Sequence, residues 1–247
     1  MRNSAFSLEG KTILVTGASS GLGASTAIEC SKAGAHLIIC GRDKTRLDNT
    51  YNRLNGENHL QVVSDFQNDE NITELSTYLP KLDGLALCAG ITKTIPVKFV
   101  KSDNIDEIFQ TNTFSSMQLI QKLLKLKKIN KGGSIVFISS ISTSYADKGN
   151  SIYAASKGAI NSFSNVLALE LSAKGITSNC VEPGFVPTAM LAGGVVTDDQ
   201  LSQEEIKYPL GFGEPTDIAN GIIYLLSDAA RWVTGSVLRI DGGVTLR

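Results

Sequence analysis

The sequence predicts an α/β fold, one parallel sheet with helices on both faces. Two observations carry this. Short β-branched runs alternate with longer helical patterns along the whole 247-residue chain. The runs are also apolar on both faces, as strands covered from both sides must be. No interdomain linker, low-complexity tract or clear short repeat interrupts the alternation, so one domain spanning 1–247 is expected.

The elements follow in order. Residues 12–16 (TILVT) form a buried strand, and 21–33 a helix opened by glycines. Residues 36–40 are the next strand and 43–54 the next helix; 60–64 and 70–79 repeat the pair. Strand 85–88 precedes a long helical region, about 103–128. Strand 134–139 and helix 152–173 come next, then strand 176–181, helix 215–227 and a last strand at 237–240. Between the last two helices, residues 185–213 hold glycines, prolines and acidic residues without clear periodicity. A segment that long inside one domain is expected to be a lid over a site.

Composition narrows the function classes. Hydrophobic residues make up 42% and charged residues 19%, ordinary values for a globular protein. The formal net charge of −1 makes no case for nucleic acid or an anionic membrane. Cys30, Cys40, Cys88 and Cys180 show no Cys-x-x-Cys spacing; they read as small buried residues in a reducing compartment. His36 and His59 are far apart and near no acidic cluster, so no metal site is expected. No secretory pattern opens the chain, and no apolar stretch approaches the ~18 residues that span a bilayer. The expected location is the cytoplasm.

Two motifs carry chemistry. The loop Thr16-Gly17-Ala18-Ser19-Ser20-Gly21-Leu22-Gly23 joins the first strand to the first helix. Glycines let the backbone turn sharply and approach a bound group, and the helix N-terminus offers free N–H groups and a positive dipole end to a phosphate. Strand before and helix after make this a dinucleotide loop, although its Gly-x-x-x-Gly-x-Gly spacing is not the commoner one. The second motif is Tyr153-x-x-x-Lys157. On a helix the i, i+4 spacing puts both side chains on one face. A cation beside a phenol favours the phenolate, which would lower the Tyr153 pKa toward neutrality. Tyr145 and Lys148 are only three apart in a loop rich in Ser, Asp and Gly, and lack the helical context.

At the end of the second strand, an NAD enzyme usually places a carboxylate for the ribose 2′-hydroxyl. Gly41 stands there and Arg42 follows. A guanidinium can fork onto a 2′-phosphate, so NADP(H) is expected, with NAD(H) the alternative. A surface arginine paired with Asp43 or solvent is the competing reading of Arg42.

The glycine loop and Tyr153-x-x-x-Lys157 together resemble the short-chain dehydrogenase/reductase family. The match runs from Gly10 to Gly243 and includes Asp65, Ala89-Gly90, Asn112, Ser140, Pro183-Gly184 and Asp241-Gly242-Gly243. The resemblance implies a single doubly wound, Rossmann-type domain with a seven-stranded parallel sheet, and a homotetramer or homodimer.

It also implies site residues. Tyr153 would be the general acid/base in hydride transfer between a nicotinamide and a carbonyl carbon, and Lys157 would tune Tyr153 and hold the nicotinamide ribose. Ser140, rather than Ser139, matches the family's spacing for the serine that hydrogen-bonds the reacting oxygen. Asn112 would hold a water linking Lys157 to solvent, against a plainer role bracing the long helix. Gly17, Ser19, Ser20, Gly21, Leu22 and Gly23 would hold the phosphates, with Asp65 and Phe66 at the adenine. Cys88, Ala89 and Gly90 would line the adenosine site, Cys88 replacing the family's more frequent asparagine. Pro183, Gly184, Val186 and Thr188 would meet the nicotinamide end.

The substrate wall would come from Ser142, Phe185 and the 190–208 part of the lid. The substrate expected is a 3-oxoacyl thioester or another small molecule, with a sugar, steroid or other secondary alcohol as the alternative. Lys122, Lys125, Lys127, Lys128 and Lys131, with Lys174, form a basic run that could attract an acidic acyl-carrier protein, or simply solvate helix ends. A cofactor-binding regulator without turnover is the reading from another class; the intact Ser140, Tyr153 and Lys157 weigh against it.

Overall fold

The computed structural model describes residues 5–187 and 198–246. Seven parallel strands form one sheet: β1 Thr12–Thr16, β2 His36–Gly41, β3 Leu60–Val63, β4 Leu82–Leu87, β5 Ile129–Ile138, β6 Thr177–Pro183 and β7 Val237–Ile240. Their order in the sheet is β3-β2-β1-β4-β5-β6-β7. The chain winds outward from β1 in one direction, then returns and winds out from β4 in the other. Such a doubly wound sheet opens a crevice beyond the carboxyl ends of β1 and β4, where the order reverses.

Eight α-helices cover the sheet in the described residues: α1 Gly21–Lys32, α2 Lys44–Tyr51, α3 Asp69–Tyr78, α4 Ser102–Phe109, α5 Ser115–Lys125, α6 Ser151–Leu171, α7 Asp198–Glu205 and α8 Pro215–Leu226. One apolar layer joins β1 and β2 to α1, α2 and α8 through Ile13, Val15, Ala27, Leu47 and Ile222. The other joins the opposite face to α3, α5 and α6 through Leu14, Leu75, Leu119, Phe137 and Ile160. Caps fix several helix starts. The Asp43 carboxylate accepts from Arg46 N at 2.9 Å, and Asn68 Oδ1 accepts from Glu70 N at 2.7 Å. Among the described residues no helix is long and apolar enough to cross a membrane.

The long helix expected at 103–128 is interrupted. A π-helical turn, Gln110–Phe114, separates α4 from α5; such turns recur at functional sites. The helical run stops at Lys125, and Lys127 turns the chain with φ 56°. β5 then begins at Ile129, five residues before the predicted start, because Ile129 pairs with Leu82 ahead of an irregularity in the ladder. Gly132, at φ 75°, and Gly133 lie in that irregular stretch and hide it from a β-propensity reading. The expected lid holds the unpredicted helix α7.

Candidate active site

The glycine loop leaves β1 in conformations that other residues resist. Gly17 has φ +66°, and a Cβ there would stand 2.8 Å from the Ala89 backbone. A Cβ on Gly23 would stand 2.3 Å from the Gly17 carbonyl oxygen. These glycines therefore pack the loop against β4 and close α1 onto the loop. Ser20 is the N-cap of α1, yet its side chain makes no capping bond, and no acidic residue occupies the first turn. The first N–H groups of α1 thus keep their capacity for an anion, and the cradle fits a dinucleotide's phosphates.

A cavity of about 410 Å³ runs from this loop to α6. It brings together nearly every residue the sequence singled out. Residues 17 and 19–23 line one part of it with Arg42; Asp65, Phe66, Cys88, Ala89 and Gly90 line another; Ser140, Ser142, Tyr153, Lys157, Pro183, Gly184, Phe185 and Val186 line a third. Asn112 stands behind the wall, and Thr188 and Met190 lie outside the described residues.

Tyr153 and Lys157 share one face of α6. Lys157 Nζ lies 5.8 Å from the Tyr153 ring centroid and donates to the Ile138 carbonyl at 2.7 Å. Burial pulls the Lys157 pKa down to about 8, with nearby Cys88 and Cys180 opposing. Burial also raises the Tyr153 pKa, and a side-chain hydrogen bond with Ser140 opposes that rise. The lowering of Tyr153 expected from Lys157 is not found: desolvation of the phenolate dominates, and the opposing influence comes from Ser140. The two candidate serines separate cleanly. Ser139 Oγ is buried and points at the Lys157 carbonyl, 3.4 Å away, whereas Ser140 Oγ lies in the cavity wall, where it accepts from Ser142 N at 3.2 Å.

Asn112 sits in the π turn. Its Oδ1 accepts from Ile91 N at 2.8 Å, and its Nδ2 donates to Ile91 O at 2.9 Å and Ser156 Oγ at 3.1 Å. The two amide hydrogens thus brace the loop after β4 against α6. Oδ1 has a second lone pair, and Gly90 lies beside both it and Lys157: a Cβ on Gly90 would be 3.3 Å from both Asn112 Oδ1 and Lys157 Nζ.

At the other end, a Cβ on Gly41 would stand 2.6 Å from Ser19 Oγ, so the serine occupies the space a side chain at 41 would enter. Asp43 pairs with Arg46 at 2.8 Å, not with Arg42. Among the described residues Arg42 makes no hydrogen bond or ion pair, and it faces the cavity beside Arg46. Burial pushes the Cys88 thiol up to about 12, which leaves it neutral and unreactive.

Several cavity residues escaped the sequence reading. Arg46 lies in the first turn of α2, and the only signal for it is its closeness in sequence to Arg42. Tyr145 was set aside as lacking helical context, yet it lines the cavity and packs with Tyr208, Phe185 and Phe212 around Ile141. Tyr208 folds back so that its hydroxyl accepts from Phe185 N at 3.1 Å, and Phe212 stacks 4.4 Å from Phe185. Asp147 and Asn150 complete this end; no periodicity marks them. Part of the basic run has partners within the chain. Lys122 pairs with Asp69 at 3.1 Å, and Lys128 donates to the Thr77 and Leu79 carbonyls at 3.2 and 2.5 Å. These lysines, with Lys174 before β6, lie at the edge where strands begin, opposite the cavity of the same chain.

A family model described as Enoyl-(Acyl carrier protein) reductase matches residues 17–245. The 3-oxoacyl-[acyl-carrier-protein] reductase FabG of Rickettsia bellii is 33% identical over 240 residues, covering 97% of this chain and 98% of that protein. The protein of the same name from Haemophilus influenzae is 33% identical over 243 residues, covering 97% and 100%. Among solved structures, a short-chain type dehydrogenase/reductase from Mycobacterium ulcerans superposes with a TM-score of 0.88 at 30% identity, over 98% of this chain and 92% of that one. A proposed NAD(P)-dependent gluconate 5-dehydrogenase from Beutenbergia cavernae, with NADP bound at low occupancy, superposes with a TM-score of 0.90 at 31% identity, over 99% and 100%.

Proposed function

The chain belongs to the short-chain dehydrogenase/reductase family, an oxidoreductase acting on CH–OH groups with a nicotinamide cofactor, and on that premise we propose that it reduces a 3-oxoacyl thioester with NADPH. The observation that carries this reading is the convergence of the Ser140 and Tyr153 hydroxyls at one end of the cavity, above a buried Lys157. The cofactor, when bound, supplies the hydride. The loop at 17–23 and the N-terminus of α1 would hold its phosphates, Asp65 and Phe66 would flank the adenine, and Lys157 would meet the ribose at the nicotinamide end.

The protein's own part is proton and charge management. A buried Tyr153 stays protonated near neutral pH, which suits a general acid that gives its proton to the carbonyl oxygen. Ser140 Oγ hydrogen-bonds the same oxygen as charge develops there. Lys157 stabilises the phenolate left behind, and the free lone pair of Asn112 can anchor a water that returns the proton. Arg42 and Arg46, with Gly41 in place of a carboxylate, support NADP(H) over NAD(H). The aromatic group Tyr145, Tyr208, Phe185 and Phe212 offers an apolar wall for a thin acyl chain, and residues 185–213 act as the lid.

The relatives' names support an acyl-carrier protein as the source of the thioester. Phe114 beside α5, and Val166 and Leu169 on α6, are exposed and offer a surface for pairing with a second copy. A two-fold axis perpendicular to these helices would set them antiparallel. The basic strand-start edge of one copy then lies toward the cavity edge of the other, within reach of an acidic carrier.

A second reading has its own support. Asp147, Asn150 and Thr92 are polar and line the substrate end, and would suit a sugar acid. NADPH oxidation should be followed with acetoacetyl and crotonyl thioesters and with a keto sugar acid. Turnover on the acetoacetyl thioester is expected. Turnover on the sugar acid alone favours the second reading, turnover on the crotonyl thioester alone makes the protein an enoyl reductase, and silence with both NADPH and NADH sinks all three.

A further inference from the structure

Glu182 is a buried carboxylate, 3% exposed, that the reaction above does not use. It stands at the end of β6, one residue past Val181, which pairs with Ile138 on β5. Three elements converge on it. Thr143 Oγ1 donates to its Oε1 at 2.6 Å. Asn161 Nδ2 donates to the same oxygen at 2.9 Å. Arg239 on β7 reaches its Oε2 at 3.3 Å, and Arg239 also donates to Ser144 Oγ at 3.0 Å.

The partners are informative. Thr143 ends the short 3-10 turn Ile141–Thr143 that Ser140 caps, so it is three residues from the Ser140 hydroxyl. Asn161 follows Tyr153 and Lys157 at successive four-residue steps on α6, so it extends the same helical stripe. One carboxylate oxygen thus holds both the loop that bears Ser140 and the helix that bears Tyr153. Its other oxygen holds Arg239, which grips the next residue of that loop. A carboxylate accepts several hydrogen bonds at once, and burial strengthens each of them. The loop itself is Ser/Thr-rich from 139 to 144, and Ser140 Oγ otherwise meets only Ser142 within it.

We infer that Glu182 is a positioning residue, which sets the Ser140 hydroxyl against Tyr153 by tying the 140–144 loop to α6. This rests on the roles proposed for Ser140 and Tyr153. A misplacement of about 1 Å can lower turnover by roughly a hundredfold, so Glu182→Gln is expected to lower kcat by roughly ten- to a hundredfold. The amide keeps the volume but offers Arg239 a donor instead of an acceptor. The Kd for NADPH should stay within about twofold, since the glycine-loop end is untouched.

The decisive measurement is a double-variant cycle. If Glu182 acts through Ser140, then Glu182→Gln should lower kcat much less in a Ser140→Ala background than in the native chain. Thr143→Val cuts only the link to the loop and should lower kcat in the same Ser140-dependent way; it carries the test if Glu182→Gln does not fold. An undiminished loss in the Ser140→Ala background, or a lower Tm with unchanged kcat below the transition, overturns the inference. Full turnover in Ser140→Ala alone breaks the Ser140 assignment, and this inference falls with it.

Discussion

At the glycine-loop end of the cavity, backbone shape decides what fits; at the Phe185 end, side chains from three separate segments decide. Gly17, Gly23 and Gly41 each leave no room for a Cβ, against Ala89, the Gly17 carbonyl and Ser19 respectively. These contacts involve few side chains: a loop, the strand before it and two neighbouring strand ends. The far end depends instead on Tyr145, Phe185, Tyr208 and Phe212 folding back onto Ile141. Lys157 lies between, buried and held by the Ile138 carbonyl. The first end suits a constant ligand and the second a variable one, because loop side chains can change without disturbing the sheet.

If the two ends are separable, each should fail alone. The largest effect is expected at Tyr153. Tyr153→Phe removes the proton donor and should lower kcat by roughly 10²–10⁴-fold, while NADPH still quenches or shifts protein fluorescence with near-native Kd. Joint loss of turnover and cofactor binding would break the separation. Next in size is Gly17→Ala. The positive φ costs a non-glycine residue roughly 1–3 kcal/mol, and the collision with Ala89 adds to it. Tm should fall, and NADPH affinity should fall more than the KM for substrate rises. An unchanged NADPH affinity in this variant would mean that the loop is not the cradle.

The same division explains what the sequence made legible. Strands apolar on both faces announced the parallel sheet, and glycine spacing announced the loop, because both patterns are local and obey strict steric rules. Tyr153 and Lys157 were legible because a helix converts spacing into a shared face. Tyr145 and Tyr208 were not, because they meet only after the chain has folded over more than sixty residues, and loops carry no period. The break in the 103–128 helix was hidden for a related reason. A π turn changes the phase of the apolar stripe without any Gly or Pro to mark it. The direction of the Tyr153 pKa depends on burial, which spacing alone cannot supply.

A smaller effect tests how finely the glycine-loop end discriminates. Arg42 has no partner among the described residues, so replacing it disturbs little else. A charge-assisted hydrogen bond contributes about 1.5–3 kcal/mol, so Arg42→Asp should lower the NADPH to NADH preference in kcat/KM by roughly ten- to a hundredfold. Retained preference would transfer the role to Arg46, which Arg42→Asp/Arg46→Ala would then reveal.

The smallest effect expected lies at the Phe185 end, and it is the one that most sharply tests the division. Tyr208 is 8% exposed, and burial pushes its phenol up to about 12, so it stays neutral as an acceptor for Phe185 N. Tyr208→Phe keeps the ring that packs edge-on to Phe212 at 5.4 Å but leaves that N–H without its acceptor. A neutral hydrogen bond contributes about 0.5–1.5 kcal/mol, so the substrate KM should rise by roughly two- to tenfold. Gly184, the preceding residue, is held separately: its N–H donates to Ile240 O at 2.8 Å. The cofactor side of the same turn should therefore hold, and NADPH Kd should not move. Equal weakening of NADPH and substrate would show that Phe185 and Gly184 shift together, so that the Phe185 end and the cofactor end form one mechanical unit.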